Sequence, residues 1–179
     1  IPYNRNVNPK FCISIENTSG LKLPAGPITV FDGGEYAGDA LLEFLPEAEK
    51  RLIAYGDDIE VNGSRRGDSA RTIETVKLAD GIMTTSYRQV QSTTYLIKNA
   101  DKKKRTVIVE HTKNTGYELT AQQALMETTA NKYRFKLTAA ANAGTELKVE
   151  ETRVYQSSQK ILDMNSNTFV SYTTDSEIP

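Results

Sequence analysis

The feature that most constrains this chain is a run of short apolar segments, each closed by turn-forming residues, between Asn17 and Val61. Glycine and proline crowd this stretch, and an Asp-Gly-Gly reversal stands at residues 32–34. Segments this short, separated by residues that favour corners, are typical of strands that reverse direction. Because turns recur about every 8–12 residues over most of the chain, we predict an all-β protein. The expected architecture is an antiparallel β-sandwich, or an open barrel, of about ten strands.

Side-chain alternation identifies two half-buried strands. In Lys10–Glu16 the apolar residues occupy every second position, and Lys132–Thr138 alternates in the same way. We expect Leu147–Tyr155 to pair back onto the second of these strands through a turn at residues 141–144. A further hairpin is predicted at Asp80-Gly81, with a long second arm that is rich in threonine and tyrosine.

The domain organisation follows from the length and from the absence of a linker. The chain has 179 residues, which suits one large β domain, and no Pro/Ser/Gly-rich stretch divides it. We predict a β-sandwich domain over residues 1–155 and a less regular tail over 156–179. Ala121–Met126 has a helical pattern but is too short to form a helix by itself, and Gln159–Met164 could start one. We expect the native chain to continue into a helix after the tail.

The charge balance argues against two classes of partner. Lys and Arg number 22 against 23 Asp and Glu, which leaves a net charge of −1. Nucleic-acid binding needs a concentrated basic face, so we predict no nucleic-acid partner. The one basic run, Lys102–Arg105, is typical of a solvated loop. No apolar run approaches the roughly 18–20 residues of a membrane span, so no span is predicted in this chain.

Two single residues are candidates for chemistry, and both have simpler explanations. His111 is the only histidine, and acid–base catalysis would need a hydroxyl, a thiol or a carboxylate beside it. Its place near the end of a predicted strand favours a structural role. Cys12 is the only cysteine, and its place in an apolar strand favours a buried, inert thiol. One His and one Cys cannot fill a zinc site by themselves. We predict no catalytic set, no metal and no cofactor, and keep His111 as a binding candidate.

An Arg66-Gly67-Asp68 tripeptide matches the short peptide that some animal adhesion receptors bind. It lies in Ser64–Ala70, a polar segment that we predict to be an exposed, mobile loop. Such a tripeptide occurs by chance in roughly a few per cent of chains of this size. These three residues are therefore binding candidates that chance also explains.

Several segments, in order, resemble a bacterial domain of unknown function that forms the C-terminal β-rich part of mucoidy-inhibitor-like proteins. The similarity covers Leu21–Glu151 and includes the turn-rich opening stretch. Its other segments are Tyr95–Asn99, Val107–His111, Tyr117–Leu119, Glu127–Thr129, Tyr133–Phe135 and Glu150-Glu151. The resemblance implies a β-sandwich module without established enzymatic activity, so it supplies no catalytic residue.

The resulting hypotheses concern binding rather than catalysis. The first is a non-enzymatic structural or protein-interaction module of a larger bacterial exported or envelope-associated protein. The second is carbohydrate binding or processing, since nine tyrosines could leave some rings exposed, although the chain has no tryptophan to stack on sugars. The third is adhesion through Arg66–Asp68. Either a protein or a glycan is therefore the expected partner.

Overall fold

A computed structural model describes residues 6–120 and 124–164, and it confirms that the protein is all-β. Eleven strands are present in these two ranges, which contain no α-helix. All strand pairs are antiparallel. The strands are β1 (Lys10–Glu16), β2 (Gly26–Asp32), β3 (Glu35–Leu42), β4 (Lys50–Asp57), β5 (Val61–Ala79), β6 (Ile82–Asn99), β7 (Arg105–Thr112), β8 (Glu118–Leu119), β9 (Leu125–Thr128), β10 (Lys132–Ala139) and β11 (Ala143–Lys160).

The longest feature is a three-stranded ribbon formed by β5, β6 and β11. The central strand β6 pairs along its whole length with β5 on one side and with β11 on the other. Asp80 and Gly81 close the β5–β6 hairpin with positive φ angles of 52° and 72°, as the Asp-Gly pair predicts. The short strand β8 adds to β11, which gives the sheet order β5-β6-β11-β8.

Two separate cores hold the fold together. The large core lies between one end of the ribbon and a second sheet of order β7-β10-β9. The small core lies between two hairpin-like pairs, β1-β4 and β2-β3. The buried residues of the large core are Val61, Tyr95, Ile97, Val109, Phe135, Ala139, Leu147 and Val149, and those of the small core are Leu42, Leu45 and Ile53.

Polar and aromatic contacts join the two units around the β4–β5 connection. The side-chain amide of Asn8 donates to the main-chain oxygen of Val61 at 2.8 Å, and Val7 forms a bridge with Gly63. The guanidinium of Arg105, at the start of β7, lies 5.7 Å from the centre of the Phe11 ring in β1. The small unit is therefore attached to the large one by its first strand as well as by the chain itself.

A bulge in the β2–β3 pair shows why glycine is needed at one position. The register shifts between Val30 and Phe31, and the residue opposite Val30 is Gly38, with a φ of 153°. A Cβ atom at Gly38 would lie 2.6 Å from the main-chain oxygen of Tyr55 in β4. Only glycine allows β3 to approach β4 this closely.

Three local predictions are wrong. Ser64–Ala70 is not a loop, because it lies inside β5, where main-chain pairing with β6 outweighs the weak strand preference of glycine and aspartate. Leu147–Tyr155 does not pair with Lys132–Thr138, because β10 is already flanked by β7 and β9, and β11 by β6 and β8. Cys12 is exposed, since alternation turns it away from the core-facing residues of β1.

Neither segment with a helical pattern contains an α-helix among the described residues. Within Ala121–Met126, residues 121–123 lie outside the described part of the chain, and Leu125 and Met126 belong to strand β9. At the other end, β11 continues to Lys160 and is followed by a short 3₁₀ turn, Ile161–Asp163. The strand thus crosses residue 155, while the division into domain and tail stays a prediction, and the expected later helix lies outside the described residues.

Candidate functional site

The most concentrated polar chemistry in the described chain is a group of three buried side chains and one exposed one, which we name the His111 network. It comprises Tyr95 from β6, His111 from β7, Asn114 from the loop after β7, and Glu151 from β11. The Tyr95 hydroxyl lies 2.8 Å from His111 Nδ1, and His111 Nε2 lies 3.1 Å from Glu151 Oε2. The network therefore connects both sheets across the large core.

Chemistry assigns the hydrogen bonds within this network. A carboxylate only accepts, so Nε2 of His111 carries the hydrogen that Glu151 receives, and Nδ1 then accepts the hydroxyl hydrogen of Tyr95. The main-chain N–H of Asn114 donates to Glu151 Oε1 at 3.0 Å, and its side-chain amide donates to Oε2. Every polar atom of the imidazole and of the carboxylate is thereby satisfied.

Aromatic rings close the network on one side. The Tyr133 ring stacks on the imidazole of His111 with 6.4 Å between ring centres, and the Lys113 ammonium lies 4.9 Å from the Tyr133 ring centre. Burial raises the pKa of the Tyr133 hydroxyl above its usual range, and the negative charge of Glu151 raises it further. Lys113 is held in place because its ammonium donates to the main-chain oxygen of Thr129 at 2.6 Å.

A hydroxyl, an imidazole and a carboxylate in this order resemble the relay of hydrolytic enzymes. Catalysis would require a substrate to reach the hydroxyl, but Tyr95 is only 1% exposed, His111 4% and Glu151 1%. Two surface depressions of about 360 and 470 Å³ are described, and no residue of the network lines either of them. The arrangement therefore acts within the core as a polar connection between β6, β7 and β11.

The Arg66-Gly67-Asp68 tripeptide does not lie in a loop. It lies in the interior of β5, opposite Thr94, Thr93 and Ser92 of β6. Arg66 forms an ion pair with Glu146 at 3.7 Å, and Asp68 Oδ1 accepts from the main-chain N–H of Ser69. Both charged side chains occupy the sheet face that turns away from the large core, so they do not meet His111.

Most tyrosine rings are engaged within the protein. The rings of Tyr87 and Tyr155 stack at 5.3 Å on the ribbon, and the Arg153 guanidinium lies 5.0 Å from the centre of the Tyr155 ring and 4.9 Å from that of Tyr117. Of the seven tyrosines in the described ranges, only Tyr36 is exposed. The hypothesis of sugar binding requires exposed tyrosine rings, and the described ranges contain one such ring.

One exposed surface was missed by the sequence-based predictions. The outward side of the β2–β3 hairpin, which we name the outer face, carries apolar and aromatic side chains in contact with solvent. Phe31 is 65% exposed, Tyr36 62% and Leu41 70%. The sequence shows only the acidic character of this region, since residues 23–49 contain six acidic residues and no basic one. The outer face comprises Pro27, Thr29, Phe31, Tyr36, Asp39 and Leu41.

Comparisons of the chain with protein-family models, with curated proteins and with solved structures found no match. Within residues 6–120 and 124–164, no group of three or more His, Cys, Asp or Glu side chains could hold a metal ion. The same part of the chain contains no helix that is long and apolar enough to cross a membrane. The site must therefore be interpreted from its own geometry.

Proposed function

We propose that this chain is a non-enzymatic β-sandwich module that serves protein interaction within a larger bacterial exported or envelope-associated protein. The layered arrangement of the ribbon end and the β7-β10-β9 sheet around one core supports the sandwich. The resemblance to the C-terminal domain of mucoidy-inhibitor-like proteins supports the bacterial setting and the larger protein.

One observation carries the proposal. The only imidazole, that of His111, is buried in the large core with its hydroxyl and carboxylate partners. In contrast, three large side chains of the outer face are mostly exposed to solvent. Single exposed apolar side chains are common, but an exposed aromatic pair with a further large apolar side chain on the same face is typical of interaction sites. Burial of the one catalytic-type group together with exposure of an apolar surface favours binding over catalysis.

Two other functions have weaker support. Sugar binding uses open aromatic rings, and most tyrosines of the described ranges already pack against neighbours. Adhesion through Arg66–Asp68 requires a peptide that a receptor can enclose, whereas here its main chain pairs with β6. We therefore do not extend the proposal to carbohydrate processing or to adhesion.

Photo-crosslinking in the cells that produce the protein tests the proposal. Benzoylphenylalanine replaces Phe31 on the outer face and, as a matched control, Val154 on the ribbon, which is 53% exposed. We expect a discrete crosslinked protein from position 31 and none from position 154. Equal, diffuse crosslinking from both positions would refute the proposal, and so would a substrate turnover that Tyr95→Phe abolishes.

A further inference from the structure

The outer face is built from three rows of paired side chains. The antiparallel register places Pro27 opposite Leu41, Thr29 opposite Asp39, and Phe31 opposite Tyr36. Successive rows are about 7 Å apart, because side chains on one face of a strand repeat every second residue. The two outer rows are apolar or aromatic and the middle row is polar. On the reverse side, Ile28, Ala40 and Leu42 pack into the small core, so the hairpin is supported from behind.

The carboxylate in the middle row is held in one orientation. The hydroxyl of Thr29 donates to Asp39 Oδ1 at 2.9 Å, and the hydroxyl of Tyr36 donates to Asp39 Oδ2 at 2.8 Å. The hydrogen bond to Asp39 is also the largest cause that raises the pKa of Tyr36. Each carboxylate oxygen keeps a lone pair free for a further donor, and no ion pair among the described residues includes Asp39.

The β2–β3 hairpin that carries this carboxylate contains three acidic residues and no basic one. Arg51 pairs with Glu43 and Glu49, at 3.2 Å in each case, so these two carboxylates have a cation. Asp32 and Glu35 close the hairpin turn next to the Phe31–Tyr36 row and are exposed. An anionic partner would be repelled from this hairpin, whereas a cation would be attracted to it. The acidic residues of this region are Asp32, Glu35, Asp39, Glu43, Glu47 and Glu49.

Aromatic rings beside the carboxylate add to this preference. The Phe31 and Tyr36 rings meet edge to face with their centres 6.4 Å apart, and both rings are mostly exposed to solvent in the row next to Asp39. Ring faces carry partial negative charge and attract guanidinium and ammonium groups. A planar guanidinium can also donate two hydrogen bonds to a carboxylate, while apolar neighbours of the cation would pack on the two outer rows.

We propose that the outer face binds an arginine side chain that a partner protein presents in an extended segment, with an apolar residue two positions before and after it. The arginine contacts Asp39 between the two outer rows, and the apolar residues cover Leu41 on one side and the aromatic pair on the other. This inference rests on the proposed interaction function and specifies the chemistry of its partner.

An NMR titration of the whole isotope-labelled chain tests the inference. The probe is a blocked peptide of sequence Gly-Leu-Thr-Arg-Thr-Leu-Gly, with a second peptide in which citrulline replaces arginine. We expect the amide signals of β2 and β3 to shift with the arginine peptide, and binding to weaken about tenfold or more with citrulline or with Asp39→Asn. Asp32→Asn is the matched control, since it removes the same charge from the same hairpin and should change the affinity less than about twofold.

Four results would overturn the inference: shifts elsewhere on the surface, equal binding of both peptides, equal weakening by both variants, or a concentration-dependent self-association that already covers β2 and β3. Crosslinking separates this failure from that of the proposed function. If benzoylphenylalanine at position 31 captures a partner, and adding Asp39→Asn leaves that capture unchanged, the interaction function stands and the arginine chemistry is wrong. If the peptide binds as expected and nothing is captured, the interaction function is wrong and the site chemistry stands.

Discussion

The two cores of this protein use a buried asparagine in the same way but differ in their other buried polar groups. In the small core the amide of Asn17 lies within hydrogen-bond distance of the main-chain oxygens of Leu21, Leu45 and Pro46. In the large core the amide of Asn99 lies as close to the oxygens of Lys103, Ala139 and Ala140. Each amide donates to carbonyls of loops and strand ends, where regular strand pairing stops.

Only the large core contains a buried pair of ionisable side chains in addition to its asparagine. His111 and Glu151 connect two sheets that share no main-chain hydrogen bonds with each other, while the small core has apolar packing around Asn17 alone. A polar network defines which strands face each other, because alternative packings leave buried groups unsatisfied. The difference suggests that the large core is the more sensitive to loss of a polar partner, and the small core the more tolerant.

The largest expected effect comes from Glu151→Ala. The substitution leaves the buried His111 Nε2 without its acceptor and removes the acceptor of two hydrogen bonds from Asn114, at the edge of the core. Hydrogen bonds to a charged group contribute about 1.5–3 kcal/mol each, and the imidazole N–H is left buried without an acceptor, so we expect a loss of about 3–5 kcal/mol. Chemical denaturation should show this loss, whereas Glu150→Ala, at the next position on the opposite sheet face, should cost less than about 1 kcal/mol. Equal losses for the two variants would contradict the role of the network.

An intermediate effect is expected from the two asparagines. Asn17→Ala and Asn99→Ala each remove two N–H donors that lie within reach of three carbonyls, and each should cost about 1–3 kcal/mol. Hydrogen exchange shows which strands each substitution destabilises. Asn17→Ala should speed exchange in β1 to β4 and leave β6 and β11 protected, while Asn99→Ala should affect the large unit. If Asn17→Ala exposes β6 as well, the two cores unfold as one and the contrast between them fails.

Sequence patterns predicted the all-β class and several strands, because alternation and turn residues act locally. The alternation of Lys10–Glu16 correctly predicted a strand with Phe11 and Ile13 turned inward, and Asp80-Gly81 correctly predicted a hairpin. Local rules could not show that Ser64–Ala70 is a strand, since its pairing partner on β6 provides the stability that its own residues lack.

The functional sites were harder to predict than the strands, because they combine residues from distant parts of the chain. Tyr95, His111 and Glu151 are far apart in sequence and meet only because β6, β7 and β11 surround one core. The pattern marked His111 as structural, but nothing local indicated its partners. The acidic character of the β2–β3 hairpin could have been found by comparing charge between segments rather than summing it over the chain. The exposure of Phe31, Tyr36 and Leu41 could not, because it depends on which side of the hairpin packs on the small core.

The smallest expected effect concerns a carboxylate outside both cores and sharpens the contrast with Glu151. Glu110 lies opposite Arg134 in the β7–β10 pair and accepts hydrogen bonds from Lys132 and Arg134. Partial burial raises the pKa of Glu110, but these two hydrogen bonds outweigh it, and the net pKa is lowered. A carboxyl whose pKa falls on folding stabilises the native state above its unfolded pKa, and this stabilisation disappears as the pH falls through the folded value.

Glu110→Gln should therefore lower the free energy of unfolding near neutral pH by less than about 1 kcal/mol, because the pair is partly exposed to solvent. The difference from the native protein should shrink as the pH is lowered below the unfolded value of about 4.3. Denaturation at several pH values measures this, and Glu118→Gln, which removes the same charge outside the pair, serves as the control. A difference that grows towards acid pH would mean that the native pKa of Glu110 is raised, and that this surface pair, unlike the buried Glu151, does not stabilise its sheet.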